Sequence, residues 1–134
     1  MAFLIHSVDD GHVPAWEYLP CDDITVAVGQ GLVFSSGHLV VSATGTVAPG
    51  FISMVNATVA TDGDKIPVVR VTKDIVWETT CDADNSSMAV GSKVTVKSDG
   101  KQVTATTTNG VAEVVEVVTK ESSSPYGGIV RVRF

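Results

Sequence analysis

Basic residues, aromatics and cysteines are all scarce in this chain of 134 residues, and each scarcity narrows what the chain can be. Nine Lys and Arg stand against fifteen Asp and Glu, for a net charge of −6. Nucleic-acid binding needs clustered cations to displace counterions from phosphates. The only local pair here is Arg131 with Arg133, on one face of a terminal strand, so the chain repels nucleic acid and anionic lipid. Two cysteines, Cys21 and Cys81, could form one disulfide, but a pair so far apart in a chain without an export signal is expected as two reduced, partly buried thiols. Hydrophobic residues make up 44%, yet no run approaches the ~18 apolar residues of a membrane-spanning helix. The opening MAFLIHSVDDGH lacks the basic flank and long apolar core of a secretory signal, so use without export by that route is expected.

Constellations that carry chemistry are missing as well. His6 and His12 flank Asp9 and Asp10, but a terminal segment offers no rigid scaffold for a metal, and these side chains are expected to be solvated or to meet a partner. His38 follows Gly37 and reads as a histidine beside a turn. Asp82-Ala83-Asp84-Asn85 resembles the start of a calcium loop but lacks the glycine and the final glutamate that such loops require. Gly29-Gln30-Gly31 precedes a strand rather than a helix, which suits a bulge or turn and not a phosphate cradle. Ser122, Ser123 and Ser124 have no oriented base beside them. Glu113 and Glu116 are expected on opposite faces of a strand. Asn56 and Asn85 match glycosylation acceptors, a match without weight in the absence of export. No enzymatic activity, no cofactor and no metal are expected.

What is abundant is valine, 25 residues, and threonine, 14 residues. Both have stiff χ1 rotamers that suit a pleated sheet better than a helix. One domain of this length buries a sufficient core without metals or disulfides. Short strands are expected at 24–28, 31–35, 38–43, 50–58, 66–72, 75–80, 93–97, 103–107, 111–119 and 129–134, with turn chemistry at each junction. Ser36-Gly37 and Asp99-Gly100 supply the positive φ that tight hairpins need. Lys73-Asp74 separates two apolar runs that could pair with each other. Val94 and Val96 alternate with Lys93, Thr95 and Lys97, giving one dry face and one wet face. Residues 1 to 23 show no sustained period and read as an extended N-terminal arm on a single β-rich domain of residues 24 to 134. Within that arm Trp16 and Tyr18 point to the same side of a short strand, where a large aromatic such as Trp16 either packs onto the chain's own barrel or anchors a partner. Trp77, in a dense strand, is expected in the core.

The succession Trp16-Glu17-Tyr18-Leu19-Pro20, ITVAVGQGLVF, HLVVSATGTVAPGFISM, DGDKIPVVRVTKDIVWET, VGSKVTVKSDGKQVTATT and VAEVVEV resembles the small capsid decoration proteins of tailed bacteriophages, also called head-stabilisation or cement proteins. The resemblance runs from about residue 14 to 134. It implies an all-β fold, a small β-barrel, β-tulip or sandwich of short antiparallel strands with an extended arm. It also implies a structural role on the outer surface of the virion, in a protein made in the host cytoplasm. The partners would be the major capsid protein and two further copies of the chain in a homotrimer, with no nucleic acid and no membrane. Capsid contact would then fall to Trp16, Tyr18, Leu19, Phe3 and Ile5, with the arm adding a strand to a capsid-protein edge. A different class, a β-sandwich module that binds a carbohydrate or host surface, would use Trp16, Tyr18 or Tyr126 as stacking platforms. Its weakness is that aromatics make up only 6% of the chain.

Overall fold

The computed structural model describes residues 2 to 122 and 127 to 134, so Ser123, Ser124 and Tyr126 lie outside the described residues. The molecule is all-β, with no α-helix among those residues. Twelve strands follow one another: β1 Leu4–Val8, β2 Trp16–Pro20, β3 Thr25–Val26, β4 Gly31–Ser35, β5 His38–Val41, β6 Phe51–Ser53, β7 Ala57–Thr58, β8 Lys65–Arg70, β9 Ile75–Thr80, β10 Lys93–Val94, β11 Ala112–Val117 and β12 Ile129–Arg133. They form two five-stranded sheets, β1-β9-β12-β11-β10 and β2-β8-β6-β4-β5, and a two-stranded ribbon β3-β7. Every strand pair is antiparallel.

Alternation decides the layers. On the β2–β5 sheet, Ile52 and Val69 face the first sheet and join a core with Phe3, Ile75, Trp77, Val94, Val114, Val130 and Val132. The opposite face sends Leu32, Leu39, Phe51, Ile66 and Val68 into a second core, which Val26 and Val59 help to fill. The β2-β8-β6-β4-β5 sheet is therefore covered on both sides, which explains why β8 reads Ile66, Val68, Val69 buried with little polar interruption. Trp77 is fully buried, and Val94 and Val132 lie on the dry side.

Local turn chemistry places the hairpins. Ser36 at φ 51° and Gly37 at φ 83° form the two-residue turn between β4 and β5, with Ser35 paired to His38. Asp99 and Gly100 close the loop after β10. The Asp99 carboxylate accepts from the Lys101 N–H at 2.9 Å, and the Gly100 N–H donates to the Lys97 carbonyl at 2.9 Å. The segment 103–107 is not a regular strand. The Thr95 and Thr104 hydroxyls meet at 2.6 Å and Thr104 Oγ1 also accepts from the Thr106 N–H, so side chains replace part of the ladder. Of the expected strand there remain two isolated bridges at Val103, parallel to Cys81 and antiparallel to Val96.

Two further expectations are corrected. The apolar runs on either side of Lys73-Asp74 do not pair; β8 belongs to one sheet and β9 to the other, so this turn is the crossover between layers. Glu113 and Glu116 share a face. A bulge between Val114 and Glu116 inserts one residue, which brings Glu113 opposite Arg133 and Glu116 opposite Arg131.

Residues 1 to 23 are extended over much of their length, and their strands lie along the sheets of residues 24 to 134. β1 completes the sheet built by β9 to β12, while β2 lines β8 from Trp16 opposite Val69 to Pro20 opposite Lys65. Between them Asp10 and Gly11 take φ of 65° and 67° in a tight turn. Arg133 holds the turn through Asp9, at 3.0 and 3.1 Å, and His12 Nε2 lies 3.1 Å from Asp74.

Candidate docking surface

Each sheet ends on a strand from the leading segment. β1 and β2 are both outer strands of their sheets, and β2 is met by β5 only at its end, where Cys21 bridges Leu39 and the Asp22 N–H donates to the Leu39 carbonyl. Native proteins usually blunt such edges with charge, proline or a bulge, because an open edge accepts another strand. Here β1 is bulged at His6, between Ile5 and Ser7, and Pro14 and Pro20 bracket β2.

The apolar character of these edges is the stronger signal. Among the described residues the exposed large hydrophobics are Leu4, Ile5, Val13, Trp16, Tyr18, Val28, Phe34, Val47, Val90 and Val118. Five of these ten belong to residues 1 to 23, so the leading segment carries far more than its share by length. Val13 is 89% exposed, Trp16 56% and Tyr18 62%. Strand alternation puts Trp16 and Tyr18 on one face of β2, beside Val69 and Pro67 of β8. Next to them a cleft of about 370 Å³ is lined by His12, Val13, Pro14, Ala15, Glu17, Val69, Arg70, Thr72 and Ile75.

The opposite face of β2 explains why the aromatics are held outward. Leu19 packs against the second core. Glu17 accepts two hydrogen bonds from Arg70, at 3.0 Å from Nε and 2.8 Å from Nη2. That hydrogen bonding holds the Glu17 carboxyl below the usual range and pushes Arg70 upward. Arg70 in turn lies 4.9 Å over the Phe51 ring.

The five residues assigned to docking from the sequence thus separate. Trp16 and Tyr18 stand together on an open surface. Ile5, opposite Trp77, is 38% exposed at the other edge. Leu19 is half-buried inward. Phe3 is corrected outright: it is fully buried, because its ring enters the first core and its N–H donates to the Gly29 carbonyl at 2.9 Å.

A polar cluster not singled out in the sequence lies where the chain leaves β2. His38 Nδ1 is 3.2 Å from Asp22 Oδ1 and 2.8 Å from Asp62 Oδ1. Asp22 follows β2, His38 opens β5, and Asp62 belongs to the turn before β8. No spacing in the sequence signals this meeting; only the pairing of the strands creates it.

Asn85 is also not a surface acceptor. It is fully buried, donates to the Thr119 carbonyl at 3.1 Å, and accepts from the N–H groups of Glu121 and Gly128 at 2.8 and 3.0 Å. It fixes the backbone on both sides of the loop before β12.

Compared with protein-family models and with curated protein sequences, the chain matches none.

Proposed function

We propose that this chain is a structural protein that docks on the outer surface of an assembled phage capsid, bridges neighbouring major capsid protein subunits and stabilises the expanded head. The observation that carries this reading is the concentration of exposed apolar side chains on the two outer strands of the leading segment, Trp16 and Tyr18 foremost. Aromatic anchors of this kind dominate the energetics of protein contacts. The stretches of β1 and β2 away from the bulge, the prolines and the β5 contact give a capsid strand somewhere to add, with main-chain hydrogen bonds for affinity and the aromatics for specificity. The direction of strand exchange differs from that of a free arm: the arm is already paired at home, so the capsid protein supplies the incoming strand. Many copies of a modest contact, distributed over a shell, stabilise it by mass action.

The test is co-sedimentation of the purified protein with expanded capsids that lack it, run beside retention on a glycan panel. Saturable binding to capsids supports docking. Retention on glycans without capsid binding would replace it with the carbohydrate-binding reading, in which Trp16 and Tyr18 stack on sugar rings.

A further inference from the structure

The corner where β2, β5 and the turn before β8 meet gathers Asp22, His38 and Asp62, with one donor atom from each within 4.8 Å of the others. Both carboxylates address the same imidazole nitrogen, at 3.2 and 2.8 Å. A single Nδ1–H cannot point along both directions at once, whereas a metal ion serves two anionic oxygens and a nitrogen lone pair together. Among the described residues no lysine or arginine forms an ion pair with Asp22 or Asp62.

The frame beneath these side chains is backbone. Asp22 N–H donates to the Leu39 carbonyl at 3.0 Å, Cys21 N–H to Asp64 at 2.9 Å, Gly63 N–H to Cys21 at 2.9 Å, and Asp64 N–H to Thr61 at 3.0 Å. Three segments distant in sequence are therefore held in register before any cation arrives, which lowers the ordering cost of binding. Asp23 and Asp64 add charge of the same sign, with Lys65 the one basic neighbour in sequence. The field reaches Cys21, whose thiol is pushed up first by burial and then by Asp22 and Asp62. Cys21 itself is fully buried and its Sγ faces the Leu39 carbonyl, so it is not a ligand.

We propose that Asp22, His38 and Asp62 form a binding site for a divalent transition-metal cation of the Zn²⁺ class, with water completing the coordination. Zn–N and Zn–O bonds of ordinary length in a tetrahedron set donors about 3.3 Å apart. The two His38 separations, 3.2 and 2.8 Å, reach that with opening of about 0.5 Å or less, and the Asp22 and Asp62 oxygens lie within 4.8 Å of each other. The mixed imidazole and carboxylate set suits Zn²⁺ better than Ca²⁺ or Mg²⁺, which prefer oxygen alone. The side chains of Asp22 and His38 are 38% and 30% exposed and that of Asp62 is 56% exposed, so the site is open to entry. A cation held by the Nδ1 lone pair leaves the one proton of the neutral imidazole on Nε2, and it clips the end of β2 to the β4–β5 hairpin. This inference stands apart from capsid docking, since it concerns the isolated chain.

Isothermal titration of the full chain with ZnCl₂ at neutral pH tests it. The expected result is one Zn²⁺ per chain in the micromolar range, weakened at least about tenfold in His38→Ala and in Asp62→Asn. His6→Ala/His12→Ala is expected to bind as the wild type does. Co²⁺ added to the wild-type protein should broaden the His38 ring resonances selectively, a readout that needs no variant. Absence of saturable Zn²⁺ binding, or broadening confined to His6 and His12, would overturn the proposal.

Discussion

The rings of Phe3 and Phe134 meet edge to face, with centroids 5.4 Å apart and planes inclined by 68°. Residues near opposite ends of the sequence thus share one core, and the leading segment is a structural part of the sandwich. The Phe3 carbonyl and N–H lie so close to Gly29 that a Cβ there would sit 2.6 Å from the Phe3 oxygen, and Gly29 also takes φ +82°.

Replacing Phe3 with Ala removes a fully buried ring and leaves a cavity between the sheets. The expected loss is about 3–5 kcal/mol of unfolding free energy, read from urea denaturation. An unchanged midpoint would mean that the ring is not in the core. By the same reasoning, deletion of residues 1 to 20 removes β1 and β2 and destabilises the remainder.

Cys21 and Cys81 are both fully buried, and they belong to different cores. Burial pushes both thiols up, so thiolate is scarce in the folded protein. The native protein should resist iodoacetamide, and both thiols should alkylate after denaturation. Modification of either one without unfolding would contradict this packing.

Acid should weaken the fold through carboxylates bound more tightly in their charged form. The Arg70 hydrogen bond lowers Glu17, the Thr72 hydroxyl lowers Asp74, and Ser86 lowers Asp84. A folded pKa below the unfolded one gives stability that is present above the unfolded value and lost as pH falls through the folded value. Urea midpoints should therefore drop as pH falls below the ordinary carboxylate range, and Glu17→Gln should flatten part of that slope. These groups are exposed, so the contribution is small and shrinks with added salt. An identical slope in Glu17→Gln would remove Glu17 from the explanation.

The all-β class and the hairpin turns were legible because their causes are local. Gly31–Ser35 and Ile75–Thr80 stand where alternation and breakers put them, and Ser36-Gly37 turns as its φ tolerance allows. What depended on distant pairing was not legible. The outer strands β1 and β2 bury little, so they lack the period that marks a half-buried strand, and the buried Phe3 shows no sign of its role. The Glu113–Glu116 face depends on a single bulge, and alternation counted along the sequence does not anticipate an inserted residue. The Asp22–His38–Asp62 corner depends on β2, β5 and the approach to β8 coming together. Trp16 and Tyr18 were legible as aromatics on one side of a short strand; that this strand pairs with β8 as the outer strand of the chain's own sheet was not.

The most direct measurement is the equilibrium affinity of wild-type protein and of the Trp16→Ala/Tyr18→Ala double variant for expanded capsids, with urea stability measured alongside. Both rings are more than half exposed, so unfolding free energy should change by only about 0.5 kcal/mol per site. Capsid affinity should fall by about 1–4 kcal/mol if the rings anchor the contact. Equal affinity of the two proteins, with the variant folded, would contradict docking through this surface.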